Sequence, residues 1–79
     1  MTPIEQKTVE IIASLSAVDE KILPTDRMTD IGFDSLKMVE LVIALEETFE
    51  VLFDISALDP SKLQTVADFI GLVRQTVSD

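Results

Sequence analysis

The feature that most constrains the fold is the apolar periodicity between Asp34 and Leu52. Residues of one helical face recur in this stretch at intervals of three and four: Met38, Leu41, Val42, Leu45, Phe49 and Leu52. This spacing predicts an amphipathic helix from Ser35 to Val51 whose apolar stripe must be covered by other elements. Asp34, which follows a turn at Gly32, is the predicted N-cap of this helix.

Two further segments show helical periodicity and have helix-start signals. Thr2-Pro3-Ile4-Glu5 begins the first helix as a capping box with proline at the first helical position, and this helix is expected to end near Ser16. Thr65 begins the last helix, and Asp68 completes a second box. Glycine at position 71, inside the last helix, destabilises that helix by about 1 kcal/mol relative to alanine. A close approach of another element would explain why glycine stands there. The expected inner stripes are Ile4, Thr8, Ile11, Ile12 and Leu15 in the first helix and Val66, Phe69, Ile70, Val73 and Val77 in the last.

The connections between these helices differ in character. Residues 17–33 form a long loop that is apolar enough to lie over a bundle, and loops of this length are often functional. Asp59-Pro60 is a good helix start, which predicts one short helical turn at Ser61–Leu63. The chain has 79 residues and no cysteine, so one small domain, residues 1–79, must be stabilised by packing. The predicted fold is all-α: a small four-helix bundle of three main helices and one short helix.

The charge of the chain limits its partners. Six basic and fifteen acidic residues give a net charge of −9, which argues against nucleic acid as a partner and favours proteins with basic patches. The longest apolar stretch, Leu36–Leu45, contains Lys37 and Glu40 and is too short to span a bilayer. Neither a signal-peptide pattern nor cysteine is present, which fits a cytoplasmic location. The chain is expected to be a monomer.

Ser35 is the main candidate for chemistry. The chain contains no histidine, cysteine, tryptophan or tyrosine, so this serine has no imidazole to activate it as a hydrolase nucleophile. A helix N-terminus favours anions, so a phosphodiester attached to Ser35 would lie where its charge is tolerated. The plainer interpretation is an ordinary serine at a helix start, although Asp34 already supplies the cap.

The outer side of the second helix is a candidate partner surface. Leu36, Val39 and Ile43 recur there at helical spacing, and acidic residues surround them: Glu40, Glu46, Glu47 and Glu50. An exposed apolar strip with a charged rim is typical of a docking surface. The alternative is a helix buried on both sides. The glutamates are interpreted as surface acids, because no calcium-loop pattern is present and no metal site is expected.

Gly32-Phe33-Asp34-Ser35-Leu36, with the segment Met38–Glu47 after it, resembles the acyl carrier proteins of fatty-acid and polyketide synthesis, and the resemblance covers residues 4 to 75. It implies a carrier-protein bundle in which Ser35 bears 4′-phosphopantetheine, moved there from coenzyme A by a phosphopantetheinyl transferase. It also implies that Asp34 helps to position metal and coenzyme A in the transferase complex, and that partner enzymes recognise the outer face of the second helix. The expected protein is not an enzyme; it delivers acyl groups as thioesters to acyl-loading and acyl-processing enzymes.

Three departures from the fatty-acid carriers favour a specialised, polyketide-like pathway. Lys37 stands where an acidic or polar residue is common, residues 55–62 are less acidic than usual, and Phe33 resembles polyketide-type carriers. A housekeeping fatty-acid carrier is one alternative, and an aminoacyl or peptidyl carrier, which often has Gly-Gly-x-Ser-Leu, is another. A non-carrier alternative is an acidic helical adaptor without a prosthetic group.

Overall fold

The computed structural model describes residues 3–18, 21–54, 56, 58–59 and 61–78, and helices dominate these residues. The helices are α1 (Pro3–Leu15), α2 (Ser35–Phe49) and α3 (Val66–Ser78), and a 3₁₀ turn spans Thr29–Ile31. No strand occurs within the described residues, which confirms the all-α fold, although the short helical element lies in the loop between α1 and α2. None of the helices described has the length and apolar character needed to cross a membrane.

Helix α1 packs against both other helices through a stripe centred on Ile12, which is fully buried. Thr8 is buried beside this stripe, and its hydroxyl donates to the Ile4 carbonyl at 2.8 Å, so burial leaves no unpaired polar group. The predicted end near Ser16 is confirmed, since the Ser16 hydroxyl donates to the Ala13 carbonyl at 2.9 Å just past the last helical residue. Thr2 of the predicted capping box lies outside the described residues.

Helix α2 begins where the sequence predicts but ends earlier. The Asp34 carboxylate accepts from the Lys37 N–H at 2.8 Å, which confirms it as the N-cap. Glu50 has a φ of 56°, and this left-handed residue ends the helix at Phe49 instead of Val51. The prediction that Leu52 continues the core stripe is therefore wrong: Leu52 is 85% exposed, because the helical spacing stops before it. Leu41 and Leu45 are fully buried, as predicted.

The long loop is fastened to the start of α3, as its apolar content predicts. Ile22, Met28, Ile31 and Phe33 are buried in the core. The first two backbone N–H groups of α3, on Val66 and Ala67, donate to the Asp26 and Pro24 carbonyls at 3.0 and 2.9 Å. These donors have no partner inside a helix, so the loop satisfies groups that would otherwise need water.

Helix α3 supplies the centre of the core. Val66, Phe69, Ile70 and Val73 are buried as predicted, Val77 is partly buried, and the buried Leu72 adds a position that the predicted stripe omits. An ion pair between Arg74 and Glu5 links α3 to α1. Before α3, the Lys62 N–H donates to the Asp59 carbonyl at 2.9 Å, so a turn forms at the predicted place, although Pro60 lies outside the described residues.

Gly71 does not mark a close approach, and that interpretation was wrong. It is exposed, and a Cβ built on it would meet nothing within 4 Å. Gly71→Ala should therefore raise the free energy of unfolding by about 0.5–1 kcal/mol, because alanine restricts the unfolded chain and favours the helix. Urea unfolding with an unchanged slope would measure the gain. Gly32→Ala is the control and should destabilise, since Gly32 has a φ of 93° and its added Cβ would clash with Ala17. A loss of stability in Gly71→Ala would contradict the prediction.

Asp68 should make stability depend on pH. Hydrogen bonds from the N–H groups of Thr65 and Gln64 lower the pKa of its carboxyl below the ordinary value. Because the folded pKa lies below the unfolded value of about 3.9, this stabilisation is complete above about pH 5 and is lost as the pH falls through the folded pKa.

Asp68→Ala should therefore cost about 1 kcal/mol at pH 7, as the loss of a helix cap does, and progressively less in acid. Urea unfolding at pH 7 and pH 3 would measure both values. Glu10→Ala removes one exposed charge from α1 and is the matched control. An equal cost for Asp68→Ala at both pH values would exclude the carboxylate as the cause.

Candidate functional site

Ser35 lies at the mouth of α2 because a tight turn delivers it there. Gly32 ends the 3₁₀ turn in the left-handed region with a φ of 93°, and its N–H donates to the Thr29 carbonyl at 3.3 Å. The Phe33 N–H donates to the Met28 carbonyl at 3.0 Å and anchors the buried Phe33 ring beneath the site. Ser35 follows as the first residue of α2 and is exposed.

The hydroxyl of Ser35 differs from those of the other serines whose side chains are described. Ser14 and Ser16 donate to carbonyls of α1 at 2.7 and 2.9 Å. The Ser61 hydroxyl donates to the Asp59 carboxylate at 2.8 Å and lowers the pKa of that acid. Hydrogen bonds from the Ser56 backbone N–H and then its hydroxyl lower the pKa of Asp54. Within the described part of the chain, Ser35 Oγ has no such partner, because Asp34 already caps the helix. Its oxygen is therefore available to a reagent from solution.

The electrostatics of this helix end suit an anion. Helix α2 has no acidic residue within its first turn, although the carboxylate of its N-cap, Asp34, offsets part of the partial positive charge at its N-terminus. Lys37, in the same turn, donates from its ammonium group to the Leu15 carbonyl at 2.5 Å. This contact caps the C-terminus of α1 with a cation and joins it to the start of α2. The remaining partial charge at the α2 N-terminus would favour a phosphodiester on Ser35 by at most about 1 kcal/mol.

A groove of about 910 Å³ opens beside Ser35 between α2, the long loop and the start of α3. Its lining is mostly apolar and includes Met28, Phe33, Met38, Val42, Leu63 and Phe69. Val39 and Ile43 of α2 also line it, so the groove adjoins the predicted outer strip of that helix. Its polar rim comprises Arg27, Thr29 and Gln64 together with Asp34 and Ser35. An apolar cleft with a few polar groups at its edge is the usual form of a small-molecule site. The residues present therefore fit a prosthetic group attached at Ser35 and carrying an apolar cargo.

The sequence did not point to Arg27, Thr29 or Gln64. They reach the groove because Arg27 forms an antiparallel bridge with Thr65, and because the Met28 N–H donates to the Gln64 carbonyl at 2.9 Å. Such pairing between a loop and a distant helix start leaves no local pattern in the sequence.

The outer strip of α2 is exposed, as predicted. Leu36, Val39 and Ile43 are 68%, 55% and 49% exposed, which rules out burial on both sides of the helix. Glu40 and Glu47 are exposed beside them. Glu46 is different: it is half-buried, and its carboxylate accepts from the Phe53 N–H at 2.9 Å. The structure therefore gives Glu46 an intramolecular role, and recognition of partners by this strip stays a prediction.

The chain matches known carrier proteins in both sequence and fold. The family model for the phosphopantetheine attachment site matches residues 6–73. An acyl carrier protein from Thermotoga maritima, in a crystal structure, shares 25% identity with a TM-score of 0.76, and the match covers 96% of this chain and 93% of that one.

Two further solved structures show the same fold at lower identity. Both are of Bradyrhizobium japonicum glycine:[carrier protein] ligase. In the complex with its cognate carrier protein and an analogue of glycyl adenylate, the matched chain is 21% identical with a TM-score of 0.83, over 95% of this chain and 100% of that one. In the complex with glycylated carrier protein, the values are 20% and 0.79, over 90% and 99%.

The family model covers most of the chain, and its members bear a covalently attached 4′-phosphopantetheine group. The helical fold agrees with that of an acyl carrier protein along nearly its full length. On this evidence the chain belongs to the acyl carrier protein family, the carrier proteins with a phosphopantetheine attachment site.

Proposed function

We propose that Ser35 Oγ is the attachment point of 4′-phosphopantetheine and that the protein, as one carrier domain, holds acyl groups as thioesters and delivers them to pathway enzymes. One observation supports this most: Ser35 is the exposed first residue of α2, and its hydroxyl is spared from capping by Asp34. The groove beside it adds a place for an apolar cargo.

The attachment step uses the serine oxygen as a nucleophile once. A bond forms between Ser35 Oγ and the phosphorus of the pantetheine phosphate, and the pyrophosphate P–O bond of coenzyme A breaks to release adenosine 3′,5′-bisphosphate. The hydroxyl proton passes to a base of the transferase, because the chain has no histidine to take it. Asp34 uses Oδ1 for the cap, and a carboxylate has further lone pairs for the metal-positioning role that the family resemblance implies.

Once attached, the arm supplies a thiol that forms thioesters, and the protein supplies delivery and recognition. The chain is accordingly proposed not to be an enzyme. Its proposed partners are the phosphopantetheinyl transferase and acyl-loading and acyl-processing enzymes with basic docking patches, which a net charge of −9 would attract. The cytoplasmic location stays a prediction.

The cargo is proposed to be an acyl group of a specialised, polyketide-like pathway. Phe33 before the motif supports this, whereas Lys37 no longer does, because its contact with the Leu15 carbonyl explains the residue structurally. A fatty-acid carrier and an aminoacyl carrier are the competing assignments. The fold shared with a glycylated carrier protein supports the aminoacyl carrier as an alternative.

The test of attachment is intact mass. The purified chain, incubated with a promiscuous phosphopantetheinyl transferase and coenzyme A, should gain one phosphopantetheine unit, and peptide mapping should place it on Ser35. A chain that stays unmodified would support the acidic adaptor instead.

Longer saturated cargo should enter the groove and stabilise the fold. Each buried CH₂ contributes about 0.8 kcal/mol, so unfolding temperature should rise with chain length. Methyl NMR signals of the groove residues Met38, Val42 and Leu63 should shift, and these are better reporters than the core residues Leu41 and Leu45. A polar cargo of equal length is the control. Identical spectra with short and long cargo would show that the cargo stays outside.

A further inference from the structure

We propose that Arg27 is an anion-binding residue of the groove beside Ser35. It would pair with an anionic oxygen of the group carried there, either the phosphodiester on Ser35 or a carboxylate in the cargo. The proposal rests on the proposed attachment at Ser35 and adds a charge preference to that site.

The backbone holds Arg27 at the rim of the groove from both sides. Arg27 forms an antiparallel bridge with Thr65, and its carbonyl accepts from the Asp30 N–H at 3.0 Å. The next residue, Met28, is buried and donates its N–H to the Gln64 carbonyl at 2.9 Å. The placement of the side chain at the groove therefore follows from the packed fold and not from a loose loop.

No described carboxylate forms an ion pair with Arg27. Among the described residues its guanidinium has no ion-pair or hydrogen-bond partner, whereas Arg74 pairs with Glu5 and the Lys37 ammonium donates to the Leu15 carbonyl. The carboxylate of the neighbouring Asp26 accepts from the Leu23 N–H at 2.8 Å. Lys7 and Lys21 also have no ion-pair or hydrogen-bond partner among the described residues, but of the six basic residues of the chain Arg27 is the one that lines the groove.

The chemistry of the rim fits an anion attached to an apolar stem. A guanidinium binds phosphate and carboxylate oxygens with two parallel N–H bonds. Thr29 lies on the same rim and offers a neutral hydroxyl donor, whereas the Gln64 side-chain amide already donates to the Ser61 carbonyl at 2.9 Å. Asp34 is the other charged residue in the lining, and its Oδ1 is held by the Lys37 N–H at 2.8 Å. The apolar floor would take the stem while Arg27 takes the charged oxygen.

The first test follows the side-chain N–H signal of Arg27 by ¹H–¹⁵N NMR in four states: unmodified, modified with phosphopantetheine, loaded with a straight saturated acyl group, and loaded with a dicarboxylic half-thioester of equal length. A shift on modification assigns the phosphodiester, and a shift only with the dicarboxylic cargo assigns the carboxylate. An unmoved signal in all four states, in protein whose mass shows the modification, overturns the proposal. Failure to gain that mass would overturn the attachment at Ser35 and this proposal with it.

The second test uses variants at this exposed position. If the cargo carboxylate is bound, Arg27→Gln should lower the fraction of dicarboxylic cargo seated in the groove about two- to fivefold, as loss of an exposed ion pair does, and leave saturated cargo unchanged. If the phosphodiester is bound, Arg27→Gln should move its ³¹P resonance. Arg27→Lys should restore part of either effect. Lys7→Gln removes the same charge from the exposed surface of α1 and should change neither. If Arg27→Gln and Lys7→Gln had equal effects, the cause would be the loss of one positive charge from the protein and not a contact of Arg27. That result would overturn the proposal.

Discussion

Replacement of Ser35 by alanine should abolish loading by the transferase while leaving the folded protein almost unchanged. The missing Oγ is the proposed nucleophile, and no second described serine combines an unpaired hydroxyl with a helix start. The unfolding free energy should stay within about 0.5 kcal/mol of the parent, as expected for an exposed surface position. Intact mass after incubation with transferase and coenzyme A measures loading, and urea unfolding measures stability.

Two control variants separate attachment from folding in this experiment. Ser61→Ala removes a hydroxyl that bonds to Asp59 and should load normally. Asp34→Asn keeps an oxygen that can accept from the Lys37 N–H, so the cap should survive, while any metal-positioning role of the carboxylate is lost. Normal modification of Ser35→Ala would show that the site has been wrongly assigned.

The start of α2 could be predicted to the residue because its signals are local. Gly32 supplies the positive φ of 93°, and Ser35 is the first helical residue. The Asp34 carboxylate caps the helix by accepting from the N–H three residues on. The end of α2 could not be predicted in the same way. Glu50 adopts the left-handed conformation that glycine or asparagine more often takes at a helix end, so the sequence carries no stop signal there. The assignment of Leu52 to the core failed for this reason, and the buried Phe53 takes the place expected for it.

The attachment site could also be predicted from the sequence, whereas the groove beside it could not. The position of Ser35 follows from neighbouring residues, so the motif predicts it. The groove depends on contacts between residues far apart in the chain, such as the Met28 N–H with the Gln64 carbonyl and the bridge between Arg27 and Thr65. Outside the groove, the Lys37 ammonium likewise donates to the distant Leu15 carbonyl. No periodicity encodes these contacts, which is why Arg27 was not singled out and why Lys37 suggested a pathway instead of a structural role.

Variants of the outer strip of α2 and its acidic rim should affect the association rate and the dissociation rate of the transferase complex separately. Reversing Glu40 and Glu47 to lysine should slow association most clearly at low salt, because rim charges act mainly on the rate of encounter. Both side chains are exposed, so the bundle should stay folded. Glu46 is left unchanged, because its reversal would also break the hydrogen bond from the Phe53 N–H. Glu10→Lys, a charge reversal on the exposed surface of α1, is the matched control for each single reversal.

Leu36→Ala and Ile43→Ala should instead speed dissociation, by roughly 30-fold for a residue worth about 2 kcal/mol in the interface. Leu36 and Ile43 are 68% and 49% exposed, so their truncation removes little from the core of the free protein. Stopped-flow association and dissociation with the transferase, from low salt upward, would measure both effects. If both variants are folded and dissociate at the parent rate, the strip is not the docking face. The search would then move to the loop before Ser35, where Arg27 and Thr29 lie on the rim of the groove.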